Sequence, residues 1–189
     1  MNGLRIGTMT ADGTSLDLSF SQENLKRYKR HFPEGLDELT AVLKAHLYVE
    51  SMLRDFLSRS MPQPSHLEGA RFSFTQVSLL ARSLSPSALS SLTKPWTLIA
   101  KLNTLRNAMA HELDPDEAKI EGYKASIMST ISSDKDATRR SFAPALGYLC
   151  GFLSCHLQVA LMFKDPAFIA KSPTERQALI ASLRRDSES

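Results

Sequence analysis

At 189 residues, 42% hydrophobic and 23% charged, the chain has the size and make-up of one ordinary globular domain with modest extensions. A net charge of +3 falls short of a dedicated nucleic-acid binder, which concentrates far more positive charge on one face, yet it excludes no such partner. Cys150 and Cys155 make neither a disulfide framework nor a zinc motif. No Gly-rich phosphate loop suits the chain to ATP-dependent chemistry. No cofactor and no metal are expected.

The opening Met1-Asn2-Gly3-Leu4-Arg5 lacks the apolar core of a signal peptide. The longest apolar stretch, residues 142–163, is interrupted by Cys150, Ser154, His156 and Gln158. It reads as a buried helix, because a membrane span is more uniformly apolar. The expectation is a cytoplasmic protein without a membrane partner.

Residues 1–20, with Gly3, Gly7 and Gly13 among Thr, Ser and Asp, form an N-terminal arm, either loose or folded as a short hairpin. A helical bundle is expected over 21–165, followed over 166–189 by a short C-terminal helix and tail. The first helix begins near Ser21 and ends in Lys29-Arg30-His31, cations suited to the negative end of the helix dipole. After Pro33-Glu34-Gly35 comes the strongest helical signal. Leu36, Leu39, Leu43, Leu47, Leu53 and Leu57 predict one wide inward stripe, closed by Pro62 and Pro64. A third helix is predicted over 73–84, with Phe74, Val77, Leu80, Ala81 and Leu84 inward. Pro95 opens a fourth carrying Trp96, Ile99, Leu102, Leu105, Arg106 and Met109.

Asp114-Pro115-Asp116-Glu117 is a helix-start signature, so the fourth helix stops near residues 111–113 and a fifth runs to about Ile131. Residues 132–140 form a polar link. A sixth helix spans 141–163, with Pro144 and Gly147 as candidate bends, and a last one follows Ser172-Pro173-Thr174-Glu175. No segment shows sustained alternation of β-branched residues. The class is all-α.

Two polar anomalies interrupt the apolar stripes. Glu50, with His46 one turn earlier, falls on the leucine stripe, and Arg106 lies on the inward side of the fourth helix. A buried carboxylate needs a partner, so a Glu50–Arg106 pair is expected; the alternative is that Glu50 sits at the stripe's edge and reaches water. Asn107 and His111 are four apart and share a helix face. Arg106 is offset from His111 by roughly 140°, within reach of a long guanidinium. His111 in a final helical turn gains from the exposed carbonyls, which favour its imidazolium. An Arg to neutralise a phosphoryl group and a His to shuttle a proton are suitable equipment for a phosphate ester.

An Arg and a His at this spacing arise by chance about a third of the time in such a chain. What raises the signal is Asn directly after Arg, small Ala110 before His, the helix end, and Glu50 on an earlier helix. A looser match, Arg59 with His66, spans Pro62 and Pro64, so no helix can hold it.

On Arg106, Asn107 and His111, with the segments 45–53 and 101–106, the chain resembles the HEPN superfamily over about residues 36–113. It is more distantly similar to mannitol-operon repressor-type helical bundles. The resemblance implies an antiparallel helical bundle that forms a two-fold dimer, with both motifs facing one cleft. It further implies a metal-independent endoribonuclease, often a toxin neutralised by an antitoxin or an anti-phage effector. RNA is then the substrate, His111 the general acid or base, and Arg106 the transition-state stabiliser. Asn107 would orient the His or the phosphate, and Glu50 would position Arg106 from behind, with His46 beside it in support. Some such toxins carry a Tyr two positions after the His, which a partner enzyme modifies. Here that position is Leu113, which does not support that mode of neutralisation.

The alternative is a non-catalytic module of the same architecture that binds a partner protein or nucleotide, or regulates transcription. Residues 26–31 and Arg139-Arg140 are basic clusters, and such runs are more often solvated faces than RNA tracks. Cys150, Cys155 and His156 read as core fillers, and Trp96 as a packing anchor.

Overall fold

The computed structural model describes residues 7–9, 15–67, 69–111, 116–131 and 142–186, with no account of the side chains of 7–9, 15–16, 111 and 182–186. Helices carry the architecture, as the periodicity requires. The arm folds as a hairpin: β1 (Gly7–Met9) pairs antiparallel with β2 (Ser15–Asp17), Thr8 opposite Leu16.

Helix α1 (Ser19–His31) starts two residues earlier than the sequence suggests. Asp17 Oδ1 accepts from Ser19 N at 2.9 Å, and the buried Gln158 accepts from Ser21 N at 3.1 Å. Orphan amide groups at this helix start are thus satisfied from two sides. Helix α2 (Glu38–Ser60) is capped by Asp37, whose Oδ1 accepts from Thr40 N at 2.9 Å.

The inward face of α2 differs from the leucine stripe. Leu39 and Leu47 are 42% and 64% exposed. The face buried in the bundle is Ala41, Val42, Ala45, Val49, Met52, Leu53 and Phe56. At 100° per residue each four-residue step advances 40°, so Leu47 has turned off the inward side. The six-residue step to Leu53 returns the stripe to the core, where Leu53 and Leu57 are buried as expected. Small Ala and Val residues fill the first half of that buried face.

A 3-10 turn (Pro64–Leu67) leads to α3 (Phe74–Ser83), which starts in a reciprocal capping box between Ser73 and Gln76. A second 3-10 turn (Ser87–Leu89) precedes α4 (Lys94–His111), with Trp96, Ile99, Leu102 and Leu105 buried as expected. Helix α5 (Glu117–Ile131) begins later than the Asp-Pro signature implies. Asp116 is its cap, accepting from Lys119 N at 3.2 Å, while Asp114 and Pro115 lie outside the described residues. The polar link at 132–140 lies outside them too.

Helix α6 (Phe142–Met162) packs most extensively against α2, and also against α1, α5 and α4. It is long and apolar enough to cross a membrane, yet 67% of its most apolar window is buried within the bundle. After it come α7 (Pro166–Ile169), a single turn the sequence did not announce, and α8 (Pro173–Asp186), which starts on a Ser172/Glu175 capping box. The C-terminal helix is therefore longer than expected. Ion pairs fasten the exterior: Arg59 bridges Asp55 and Glu23, and Lys124 of α5 meets Glu38 of α2.

A close approach locks α1 to α6. A Cβ at Gly147 would collide with the Tyr28 hydroxyl, and Tyr28 itself stacks on Phe32 at 4.5 Å. A helical Gly→Ala change ordinarily gains roughly 0.5–1 kcal/mol. Here Gly147→Ala is expected to lose about 1–3 kcal/mol through overpacking. Tyr28→Phe, which removes the hydroxyl, should recover much of that loss in the double variant. Urea unfolding of the four proteins checks it; additive effects would show that the contact does not constrain the helices.

Candidate functional site

Helix α4 carries the candidate residues because its inward face, Leu98, Ile99, Leu102 and Leu105, fixes its rotation. Arg106 then emerges at the margin of the core, half-buried, and Asn107 one position on is exposed. Arg106 Nη1 donates to Asn107 Oδ1 at 3.1 Å. The guanidinium and the amide thus lie side by side where a ligand could reach both. His111 is the last residue of α4, so the helix ends where the sequence places it. The orientation of its side chain, and its expected imidazolium bias, lie outside the described residues.

The expected Glu50–Arg106 pair is not made. Arg54 takes the Glu50 carboxylate, with Nε at 3.0 Å and Nη2 at 2.7 Å, and Nη2 also donates to Phe72 O at 2.9 Å. Glu50 keeps 24% of its side-chain surface in solvent, so the edge-of-stripe alternative describes it. The reason is local: a carboxylate and a guanidinium four apart on one helix are already neighbours. A pair across helices must also order a second long side chain.

His46 takes the inward place that Glu50 does not. It is buried, stacks on Phe74 with ring centroids 4.0 Å apart, and its Nε2 donates to Asn103 Oδ1 at 3.0 Å. Burial holds its pKa below the ordinary 6.5; the Asn103 bond opposes that shift, Arg106 adds to it and Glu50 opposes it. One neutral imidazole therefore links α2, α3 and α4 within the field of Arg106. Sequence reasoning missed Asn103 and Phe74. The ladder Asn103, Asn107, His111 at four-residue steps was the available signal, since three polar residues in that register share one helix face.

Arg59 is committed to Asp55, Glu23 and Ser19, and His66 sits exposed in the 3-10 turn, so the looser match forms no site. Cys150 is buried with its thiol pKa pushed up by burial, and Cys155 is half-buried; neither forms a disulfide. Trp96 packs edge-on against His156 at 5.7 Å, a core contact as expected. His156 is buried with Nε2 unpartnered among the described residues. Burial pushes its pKa down to about 4.

Two predictions concern these imidazoles. The folded protein holds His156 neutral down to about pH 4, whereas the unfolded ring titrates near 6.5. Between those values the unfolded state binds more protons, so stability is full above pH 6.5 and falls as pH is lowered. The loss at pH 5 should be about 2 kcal/mol. His156→Leu should flatten that slope in urea unfolding at pH 7.5 and 5; an unchanged slope would place the titrating group elsewhere. Asn103→Ala removes the one bond supporting protonated-side character at His46, so its NMR titration should move further down. A shift upward would mean that Asn103 does not act through this bond. No protein-family model, curated protein or solved structure matches the chain, so the site is read from its own chemistry.

Proposed function

We propose that the protein is a cytoplasmic, metal-independent endoribonuclease of HEPN type, acting as a two-fold dimer in a toxin–antitoxin or anti-phage role. The observation that carries the reading is the hydrogen-bonded, solvent-accessible pair Arg106–Asn107 on a helix whose last residue is His111. Guanidinium and amide together suit a phosphodiester: the one neutralises, the other orients. The 2′-hydroxyl oxygen bonds to the adjacent phosphorus and the bond to the 5′-oxygen breaks. His111 of one subunit accepts the 2′ proton, and His111 of the partner subunit protonates the leaving oxygen. Exposed Leu39 and Leu47 of α2 offer apolar surface for the second copy to cover.

One observation favours the alternative of a non-catalytic module that binds a partner or nucleotide. Glu50, the carboxylate meant to position Arg106 from behind, is held by Arg54. Without Glu50 to position it, Arg106 has lost one part of the fixed constellation that transition-state stabilisation requires.

The deciding experiment incubates purified protein with total RNA and EDTA, beside His111→Ala and Arg106→Ala. Cleavage by the parent protein, leaving 2′,3′-cyclic phosphate ends, should fall by about 10²–10⁴-fold in His111→Ala and by about 10²–10³-fold in Arg106→Ala. Undiminished cleavage by the variants defeats the site assignment. No cleavage by an antitoxin-free dimer leaves the binding module.

A further inference from the structure

The surface of α1 bears a feature that the site on α4 does not use. Lys26, Lys29 and Arg30 stand at i, i+3 and i+4, all exposed, and such positions are neighbours about 5–6 Å apart on one helical face. Among the described residues none of the three has an ion-pair or hydrogen-bond partner. Exposed His31 follows them, and Lys44 of α2 brings a fourth charge to the same end, its Nζ donating to His31 O at 3.0 Å.

Elsewhere the described cations are largely engaged. Arg54, Arg59 and Lys124 hold carboxylates, Lys101 donates to Ser126 O and Thr130 Oγ1, and Lys94 donates to Ile131 O. The acids flanking the cluster leave it unneutralised: Glu23 accepts from Arg59, and Glu34, in the turn beyond α1, pairs with none of these cations. Last-turn cations commonly complement the helix dipole. That does not account for Lys26, a turn earlier. It also does not account for Lys44, which itself satisfies the terminal carbonyl and adds positive charge to a place that already has it.

We infer that Lys26, Lys29 and Arg30 of α1, with Lys44 of α2, form a docking surface for the phosphate backbone of single-stranded RNA. The inference rests on the proposed ribonuclease reading for its choice of ligand. Flexible point charges without a pocket recognise a repeating charge, not a shape. A protein partner would need buried aromatic or arginine anchors, and the one large apolar residue exposed on α1 is Leu25. Single strands fit better than duplex, because attack by the 2′-hydroxyl needs a nucleotide free to adopt in-line geometry. The docking surface would retain a strand while a separate nucleotide occupies Arg106 and Asn107.

The test is the salt dependence of binding, read by fluorescence anisotropy with a labelled single-stranded RNA. It uses the full chain in the His111→Ala background, so that cleavage does not intrude. Each phosphate contact contributes about 0.7 to the slope of log affinity against log salt. The triple variant Lys26→Gln/Lys29→Gln/Arg30→Gln should therefore lower that slope by about 2, with an unchanged circular dichroism spectrum. Arg71→Gln/Arg82→Gln, at exposed cations outside the cluster, should leave it as it was. A triple variant with the parent's slope overturns the inference. So does an equal loss per charge in the control pair, or a polyglutamate peptide that binds the cluster as tightly as RNA. Cleavage by the parent protein with no slope change in the triple variant rejects the docking surface alone; a slope change without cleavage rejects the ribonuclease reading alone.

Discussion

Covering α6 is the constraint on which the rest of the molecule depends. Its most apolar window has a mean hydropathy of 1.5, and Leu146, Leu149, Leu153 and Leu157 are all buried. Each such side chain contributes roughly 1.5–3 kcal/mol when taken out of water. One partner helix cannot cover a helix that is apolar nearly all round. Helices α2, α1, α5 and α4 share the task, and the polar groups of α6 are treated according to where they land. Gln158 meets the start of α1 and has both ends of its amide bonded. His156 and Ser154 have buried polar atoms unpartnered among the described residues, a cost that the apolar contacts offset.

The same constraint sets the rotation of α2, and through it the chemistry of the candidate site. Helix α2 packs more extensively on α6 than on any other element, and it turns Ala41, Ala45, Val49 and Met52 inward. That rotation carries His46 toward α4, where it meets Asn103, and leaves Glu50 beside α3, where Arg54 and the Phe72 carbonyl complete a small surface network. Packing thus decides which of two neighbouring polar residues faces Arg106 from within the core. It is the imidazole, neutral and stacked on Phe74, not the carboxylate.

Much of this was legible in the sequence where the signal is local. The Ser172-to-Glu175 start of α8, the prolines closing α2 and the cationic last turn of α1 depend on a few neighbouring residues, and each element lies where those residues place it. Signals that depend on a partner elsewhere were harder to read. The leucines of α2 outweigh its alanines in any hydrophobic count, yet close helix packing prefers the alanines. Whether Glu50 pairs across helices or along its own is settled by tertiary distance, and Arg54 was the nearer candidate throughout. Asn103 carries only the weak mark of its register with Asn107 and His111; its partner, the His46 ring, comes from another helix.

The state of His46 also limits what the site can do. Its Nε2 proton is committed to Asn103, its ring is buried against Phe74, and the positive charge of Arg106 disfavours a second proton. A group so placed holds a structure together. It is badly suited to taking a proton from a substrate at physiological pH, since a general base must both reach that proton and accept it. Any proton transfer beside Arg106 and Asn107 therefore falls to another group on the same face. The position one turn beyond Asn107, at the end of α4, is occupied by His111. If His111 proves unable to perform that transfer, an arginine and an amide remain with no base between them, and such a pair binds phosphate without breaking it.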